Sequence, residues 1–534
     1  MSAGARFWIA LACVVVFGGL LRLKGIHDPI LDHPGWRQGD TAAIARNFAT
    51  LQYDILKPQT DYNGAPPNYV ELELQIVPFL AATLYKIFGI HEVFGRLISL
   101  GFGLGTIAVI GAFARRFFRS DVAGIAAALA FAAFPGAIYY SRTFMPDTTM
   151  VFFLCAAAYA GVWWLWEADP RDWRGFAWAG PLVALALLAK PVAIVGLVPL
   201  AAVSFVRFGF FGTLRRPQTY ALLAAAFVPY LVYDRIVSAQ AEWHWASGIT
   251  TRHVLPALRA ALTGGSAFVA KWHLFAHATH LLRTTMLGPV GTVLLLAGLF
   301  VARSARDRAF LWTWFATSAL YAYVVVTVEP VDYYLYPVLP LAALCAGNTI
   351  AWGWSLVRGT AWQTIALGAA ALGYAGFVLL SRSEIAPYYR YSKANYVAAR
   401  ALAVSLPPGA LVVIGHYDPS IQYYIDRKGW EEDPVLWTPF DEQSAIRKGA
   451  RAFISIEHRR LQRNAELYHW LARFPVDERK RWPVYATDTA KILPGAEARW
   501  RTFRNAERTT APTTGKPDPI DETAPQRSTT TAPT

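Results

Sequence analysis

Residues 71–88 read ELELQIVPFLAATLYKIF, and whether they cross a membrane decides the side on which every later loop falls. The run from Leu74 to Phe88 is apolar, yet it opens after Glu71 and Glu73, carries Pro78 and closes near Lys86. It therefore reads either as a span or as a helix on the membrane surface. Charge decides between them. If the run does not cross, the clusters Arg115/Arg116/Arg119, Arg171/Arg174, Arg207/Arg215/Arg216, Arg303/Arg306/Arg308 and Arg358 all fall on the same side as Arg6. If it crosses, each of them moves outside, against the preference of Lys and Arg for the cytoplasmic face. The segment is expected to lie on the surface.

Working outward, the long apolar runs are Phe7–Leu21, Leu97–Phe113, Val122–Ile138, Thr148–Trp166, Tyr220–Val232, Leu287–Val301, Ala309–Val328, Pro337–Trp352 and Trp362–Leu380. Two shorter runs, Pro181–Ala189 and Pro191–Val206, meet at Lys190. Arg22, Lys24, Ile26 and His27 follow the first run and form no small-residue cleavage site, so it is expected to be retained as a span. The expectation is an all-α polytopic membrane protein with about eleven transmembrane helices, the N-terminus inside and the C-terminus outside. Residues 1–380 form this module, with outer loops at 22–96, 139–147, 233–286 and 329–336.

Composition agrees. Of 534 residues 55% are hydrophobic and 16% charged, against roughly 25% charged in soluble domains, which excludes an ordinary soluble enzyme. The net charge of +14 comes from arginines placed between apolar runs. It is a topology signal, and no nucleic-acid partner is expected. Cys13, Cys155 and Cys345 each stand alone in an apolar run, so neither a disulfide framework nor a cysteine metal site is available. Past Leu380, Ala410–Ile414 and Arg451–Ile456 read as strands separated by helical pattern, giving a small extracytoplasmic α/β domain over 381–508. The Thr/Pro-rich stretch 509–534 is expected to be disordered.

The residues able to do chemistry gather in the outer loops. Asp40 precedes a helical pattern at Ala42–Leu51, with Arg37 beside it; it is either a helix cap or a functional carboxylate. Asp147 opens the run from Thr148 and carries the same two readings, a cap or acid/base and cation duty. Lys190 stands at a break before Pro191, where an ionisable group faces a cavity or snorkels to the interface. Tyr333 and Tyr334 follow Glu329 and Asp332 in the last short loop, as an interfacial belt or as site residues. His273, His277 and His280 share a helix face, but without an accompanying acid they read as a surface helix, and no metal site is expected.

Taken in order, several motifs resemble the GT-C class of integral-membrane glycosyltransferases, within it the family 39 and aminoarabinose-transferase-like group related to protein O-mannosyltransferases. They are Asp40 followed by Ile44-Ala45-Arg46-Asn47, then Pro66-Pro67-Asn68-Tyr69, Gly95-Arg96-Leu97, Tyr140-Ser141-Arg142 leading to Pro146-Asp147, Ala189-Lys190-Pro191, and Tyr333-Tyr334 before Pro337 and Pro340. The resemblance covers roughly Phe7 to Leu380. It implies a GT-C fold and transfer of a sugar from a polyprenyl-phosphate donor to a lipid, glycan or protein acceptor at the outer face of the cell (inner or plasma) membrane, with inversion and without a cofactor. Asp40 is then the acceptor-activating carboxylate and Asp147 the second catalytic carboxylate. Arg37, Lys190 and Arg142 hold the donor phosphate, and Glu71, Tyr333 and Tyr334 contact substrate. The usual acidic pair of the family aligns with Arg37-Gln38, so Asp40 comes about one turn late, with Asp32 or Glu71 as substitutes. Gly64-Ala65 stands where aminoarabinose transferases carry a lysine, so that group's substrate is not implied. The alternative is a polytopic transporter of a lipid-linked or small anionic substrate, against which the chain shows no repeat halves.

Overall fold

The computed structural model describes residues 2–245, 248, 250–263, 271–326 and 330–510. Glu329 and the tail from residue 511 lie outside the described residues. Among the described residues eight helices are long and apolar enough to cross a membrane: Gly4–Arg22, Glu92–Phe118, Asp147–Glu167, Pro191–Phe208, Pro217–Ser238, Ala305–Val326, Asp332–Val357 and Gln363–Glu384. A ninth results if Trp272–Met286 and Gly288–Val301, bent by 111°, count as one. The step from there to the expected eleven rests on two short apolar helices, Asp121–Ala133 and Phe176–Ala189. The first is short because Pro135, which has no N–H to donate, restarts the run as a separate helix at Pro135–Tyr140.

We label α1 (Ala3–Arg22), α2 (Gly35–Thr50), α3 (Ile76–Phe88), α4 (Glu92–Phe118) and α5 (Asp121–Ala133). α1 is built into the bundle: Arg22 is fully buried and donates to Ala132 O at 3.0 Å and Phe131 O at 3.3 Å, so its guanidinium takes up the last carbonyls of α5. Small residues let the helices close up, as where a Cβ on Gly298 would lie 2.3 Å from the Cys345 carbonyl oxygen.

The first loop holds α2, a two-residue strand β1 (Val70–Glu71) and α3, the segment whose sequence was ambiguous. α3 is only 13 residues, apolar on the face carrying Val77, Ala81 and Tyr85, and it packs with that face on Ala42 and Ala45 of α2. Strand β2 (Trp243–His244) runs parallel to β1.

After the last apolar helix a five-stranded sheet follows. Its strands are β3 (Leu411–Gly415), β4 (Gly429–Glu432), β5 (Ala450–Ile454), β6 (Val476–Asp477) and β7 (Val484–Tyr485), in the order β4-β3-β5-β7-β6. β4, β3 and β5 are parallel. The two-residue alternation of a strand sorts its faces. Val412, Ile414, Ala452 and Ile454 share a core with Ala42, Ala45 and Val77 of the first loop, whereas Val413 and Phe453 pack on Ala445, Leu461 and Leu467. The sheet is thus seated on α2 and α3. A Cβ on Gly39 would fall 2.4 Å from Ser420 N, so only glycine admits this backbone approach.

Candidate active site

α2 begins at Gly35, five residues before the expected cap, so Asp40 lies inside the helix and one turn beyond Arg37. The capping reading of Asp40 is replaced. Arg37 forms a buried ion pair with Glu73, and Asp40, Asp147 and Tyr333 are its further electrostatic neighbours. Glu73 is held there because Leu74 N donates to Leu188 O at 2.8 Å and Tyr233 Oη donates to Glu73 O at 3.1 Å. That first bond ties the first loop to the helix end just before Lys190.

Asp147 is the first residue of its helix and makes no side-chain cap hydrogen bond. Its Oδ1 instead receives Lys190 Nζ at 2.6 Å. The two side chains are 3% and 13% exposed, so Lys190 does not snorkel. Lys190 Nζ lies 4.8 Å from the Tyr334 ring centroid and 5.5 Å from that of Tyr333. Arg37, Glu73, Lys190, Asp147, Tyr333 and Tyr334 therefore form one cluster of two cations, two carboxylates and two aromatic rings. Asp147 Oδ2 has no hydrogen-bond partner among the described residues.

Asp40 borders this cluster on its other side. It is 6% exposed, is hydrogen-bonded to Tyr62, and its Oδ1 finds no partner among the described residues. Burial pushes its carboxyl up to about 7, with Arg37 and Tyr62 opposing and Asp418 and Asp61 adding to the rise. Asp61 contrasts with it. Burial would raise Asp61 as well, but Arg46 and Lys428 hold it down to about 2.

Two expected residues go elsewhere. Arg142 is fully buried, pairs with Asp32 and donates to Gly25 O at 3.0 Å, so its guanidinium is engaged away from the cluster. Arg96 takes the other oxygen of Asp32 at 2.8 Å, so both oxygens of that carboxylate are engaged by guanidinium groups. The reason is desolvation: a carboxylate with no exposure needs cations on both oxygens. Glu71 stays in β1, 3.7 Å from His244, and it is Glu73 that meets Arg37. His273, His277 and His280 are exposed on the helix Trp272–Leu281, and no metal-holding group of His, Cys, Asp and Glu occurs among the described residues.

The sequence reading also missed a network around Asp332, whose carboxylate accepts from Tyr140 Oη at 2.5 Å and from Tyr388 Oη and lies 3.2 Å from His33 Nε2. Tyr388 arrives from beyond the last apolar helix, a contact that only the fold creates. The signal for Glu73 was present, since it stands two residues from Glu71 in the same acidic opening.

With this geometry in hand, comparison with known proteins is informative. A family profile described as dolichyl-phosphate-mannose-protein mannosyltransferase matches residues 75–246. No curated protein sequence matches. Among solved structures the chain is similar to ArnT from Cupriavidus metallidurans in the apo state, with TM-score 0.61, 16% identity, and 92% of this chain and 100% of that chain covered. It is similar in the same measure to that protein bound to undecaprenyl phosphate, at TM-score 0.60 and 16% identity, with 92% and 100% of the two chains covered. The S. cerevisiae protein O-mannosyltransferase Pmt1-Pmt2 complex bound to the sugar donor matches at TM-score 0.33 and 18% identity, over 45% of this chain and 34% of that chain.

The protein is a multi-pass membrane protein with the GT-C fold, as its motifs led one to expect. Within that class its likeness to ArnT runs through nearly the whole of both chains, the C-terminal sheet region included.

Proposed function

We propose that the protein is a glycosyltransferase that moves a sugar from a polyprenyl-phosphate carrier to a nucleophile at the outer face of the membrane. The observation that carries this reading is the buried cluster of Arg37, Lys190, Asp147 and Glu73 under Tyr333 and Tyr334, with Asp40 one turn from Arg37. The family profile and the undecaprenyl-phosphate-bound structure of the same fold support a polyprenyl-linked donor.

The chemistry follows from the groups. A phosphate monoester is a workable leaving group once its growing charge is met by fixed cations, the task given to Lys190 and Arg37. Asp147 holds Lys190 in place and keeps the pair neutral until the anionic donor arrives. The acceptor hydroxyl must lose its proton as its oxygen attacks the anomeric carbon. Asp40, whose free oxygen and raised pKa suit a base near neutral pH, takes that proton. The C1–O bond to phosphate breaks as the new C1–O bond forms on the opposite side, which inverts the anomeric centre. Arg142, bound to Asp32, plays no part in this scheme.

The test gives the protein in lipid nanodiscs a panel of polyprenyl-phosphate sugars and follows free polyprenyl phosphate. Release from one donor, lost in Asp147→Asn, is the expected result. Failure of every donor to bind would refute the reading and favour a transporter.

A further inference from the structure

In the C-terminal sheet the chain leaves β3 for β4 on one side and returns past β3 to β5 on the other. The connecting helices, Pro419–Ile425 and Pro439–Arg447, pack on opposite faces. The carboxyl ends of β3 and β5 thus flank a topological switch point, the place where open α/β sheets take ligands. His416 and Asp418 follow β3, Glu457 follows β5, and Glu431 lies near the end of β4. His416 bridges the strand ends, 3.9 Å from Asp418 and 3.6 Å from Glu457.

This edge does not face open water alone. Asp418 and Glu431 are electrostatic neighbours of Asp40, and Tyr62 is hydrogen-bonded to Asp40 and electrostatically close to Glu431. The first loop closes over it: Trp430 packs against Gly64, and the Tyr62 and Trp245 rings meet at 6.5 Å. Five buried polar atoms here have no hydrogen-bond partner among the described residues, namely Asp40 Oδ1, Glu431 Oε2, His416 Nδ1, Asn63 Nδ2 and Trp245 Nε1. Buried polar groups are nearly always satisfied, so a group of orphans in one place points to a ligand.

Their pattern says which kind. A cation would satisfy the two carboxyl oxygens and leave the Asn63 and Trp245 donors unmet. An anion would meet the donors and be repelled by Asp40 and Asp418. Hydroxyl groups both donate and accept, and five orphan atoms exceed what one hydroxyl can engage. Aromatic rings at the rim suit the C–H face of a sugar. We propose that this switch point, completed by the first loop, is the acceptor subsite and binds a neutral sugar residue of a glycan, presenting one hydroxyl to Asp40. The subsite is called an acceptor site on the strength of the glycosyltransferase reading; the binding of a neutral glycan does not depend on it. Burial also lifts Glu431 well above the usual carboxylate range, so that its carboxyl can donate as well as accept.

The experiment titrates the full chain in nanodiscs, without donor, with neutral hexose and pentose oligosaccharides, a uronic-acid oligosaccharide and a Ser/Thr-rich peptide, read by saturation-transfer NMR. Neutral glycans should bind, and Glu431→Met, which removes both carboxyl oxygens at similar size, and Trp245→Phe, which removes the indole N–H with one ring, should each weaken binding about tenfold. Preference for the uronic acid or the peptide would overturn the proposal, as would neutral-glycan binding unchanged in both variants. Polyprenyl-phosphate binding to the same samples separates the two readings and reports folding of the variants. Donor bound with no neutral glycan bound refutes the subsite alone; glycan bound with no donor bound refutes the glycosyltransferase reading and leaves the subsite standing.

Discussion

Lys190 and Asp147 are best tested by removing them singly and together. Their side chains are 13% and 3% exposed and meet at 2.6 Å. Lys190→Met or Asp147→Asn alone leaves a buried charge without its partner, a loss of about 3–5 kcal/mol in stability. The double variant replaces the pair by two neutral groups of similar shape and should recover most of that loss, so the coupling energy is about 3 kcal/mol. Activity should behave differently. If Lys190 carries the charge of the departing phosphate, its loss lowers turnover by about 10²–10³-fold, and neutralising Asp147 as well restores no cation. The assay pairs thermal unfolding in nanodiscs with polyprenyl phosphate release. Stability regained with activity still lost is the signature of a pair that is both strut and site. A double variant within tenfold of wild-type turnover would refute the catalytic role, and additive losses of stability would refute the pair itself.

Asp40 must be ionised to act as a base, and burial raises it to about 7 against the opposition of Arg37, so transfer should climb about tenfold per pH unit below that value and level off above it. An acid limb near pH 4, where an ordinary aspartate titrates, would sink the assignment. Arg142→Gln should lower stability by about 3 kcal/mol by taking one of two cations from the buried Asp32 carboxylate, leaving the donor KM of the surviving folded fraction unchanged; a raised KM with normal stability would return Arg142 to the donor site. A reporter fused after Glu384 should be active only when it requires the extracytoplasmic side, and activity of a cytoplasm-dependent reporter there would overturn the proposed orientation.

The helical, multi-pass character was legible because its cause is one-dimensional: apolar runs are properties of neighbouring residues. The helix at 76–88 and the two strands around Leu411 and Arg451 follow from the same local patterns. Lys190 and Asp147 could each be singled out, since a charge at a helix break is unusual, but their contact joins two helix ends 43 residues apart. Arg142 and Glu71 show the limit from the other direction. Residue type suited both to the site, yet the tertiary fold sets Arg142 on Asp32 and Glu71 3.7 Å from His244. Asp32 offered Arg142 a partner that desolvation obliges it to keep, and the tether from Leu74 to Leu188 delivers Glu73 to Arg37. The start of α2 was placed too late because the helical apolar pattern begins only at Ala42. The helix extends back to Gly35 because Trp36, Arg37 and Gln38 find partners on Tyr333, Glu73 and Asp32.

That early start of α2 carries a mechanistic consequence. Arg37 and Asp40 lie three residues apart on one helix, about 4.5 Å along its axis. Arg37 turns toward the Lys190 and Asp147 cluster, which is lined by the ends of apolar helices; Asp40 turns toward Tyr62 and the sheet. An inverting displacement needs the leaving phosphate and the incoming oxygen on opposite sides of one carbon, a separation of the same order. In the proposed mechanism, a single turn of rigid helix sets the spacing between the cation that would meet the leaving group and the base that would meet the nucleophile. The donor would reach this turn from the lipid side and the acceptor from the aqueous side. On this view the seating of the sheet on α2, through Gly39 against Ser420, is part of the catalytic geometry, because any bulkier residue at Gly39 would move the acceptor side away from the donor side.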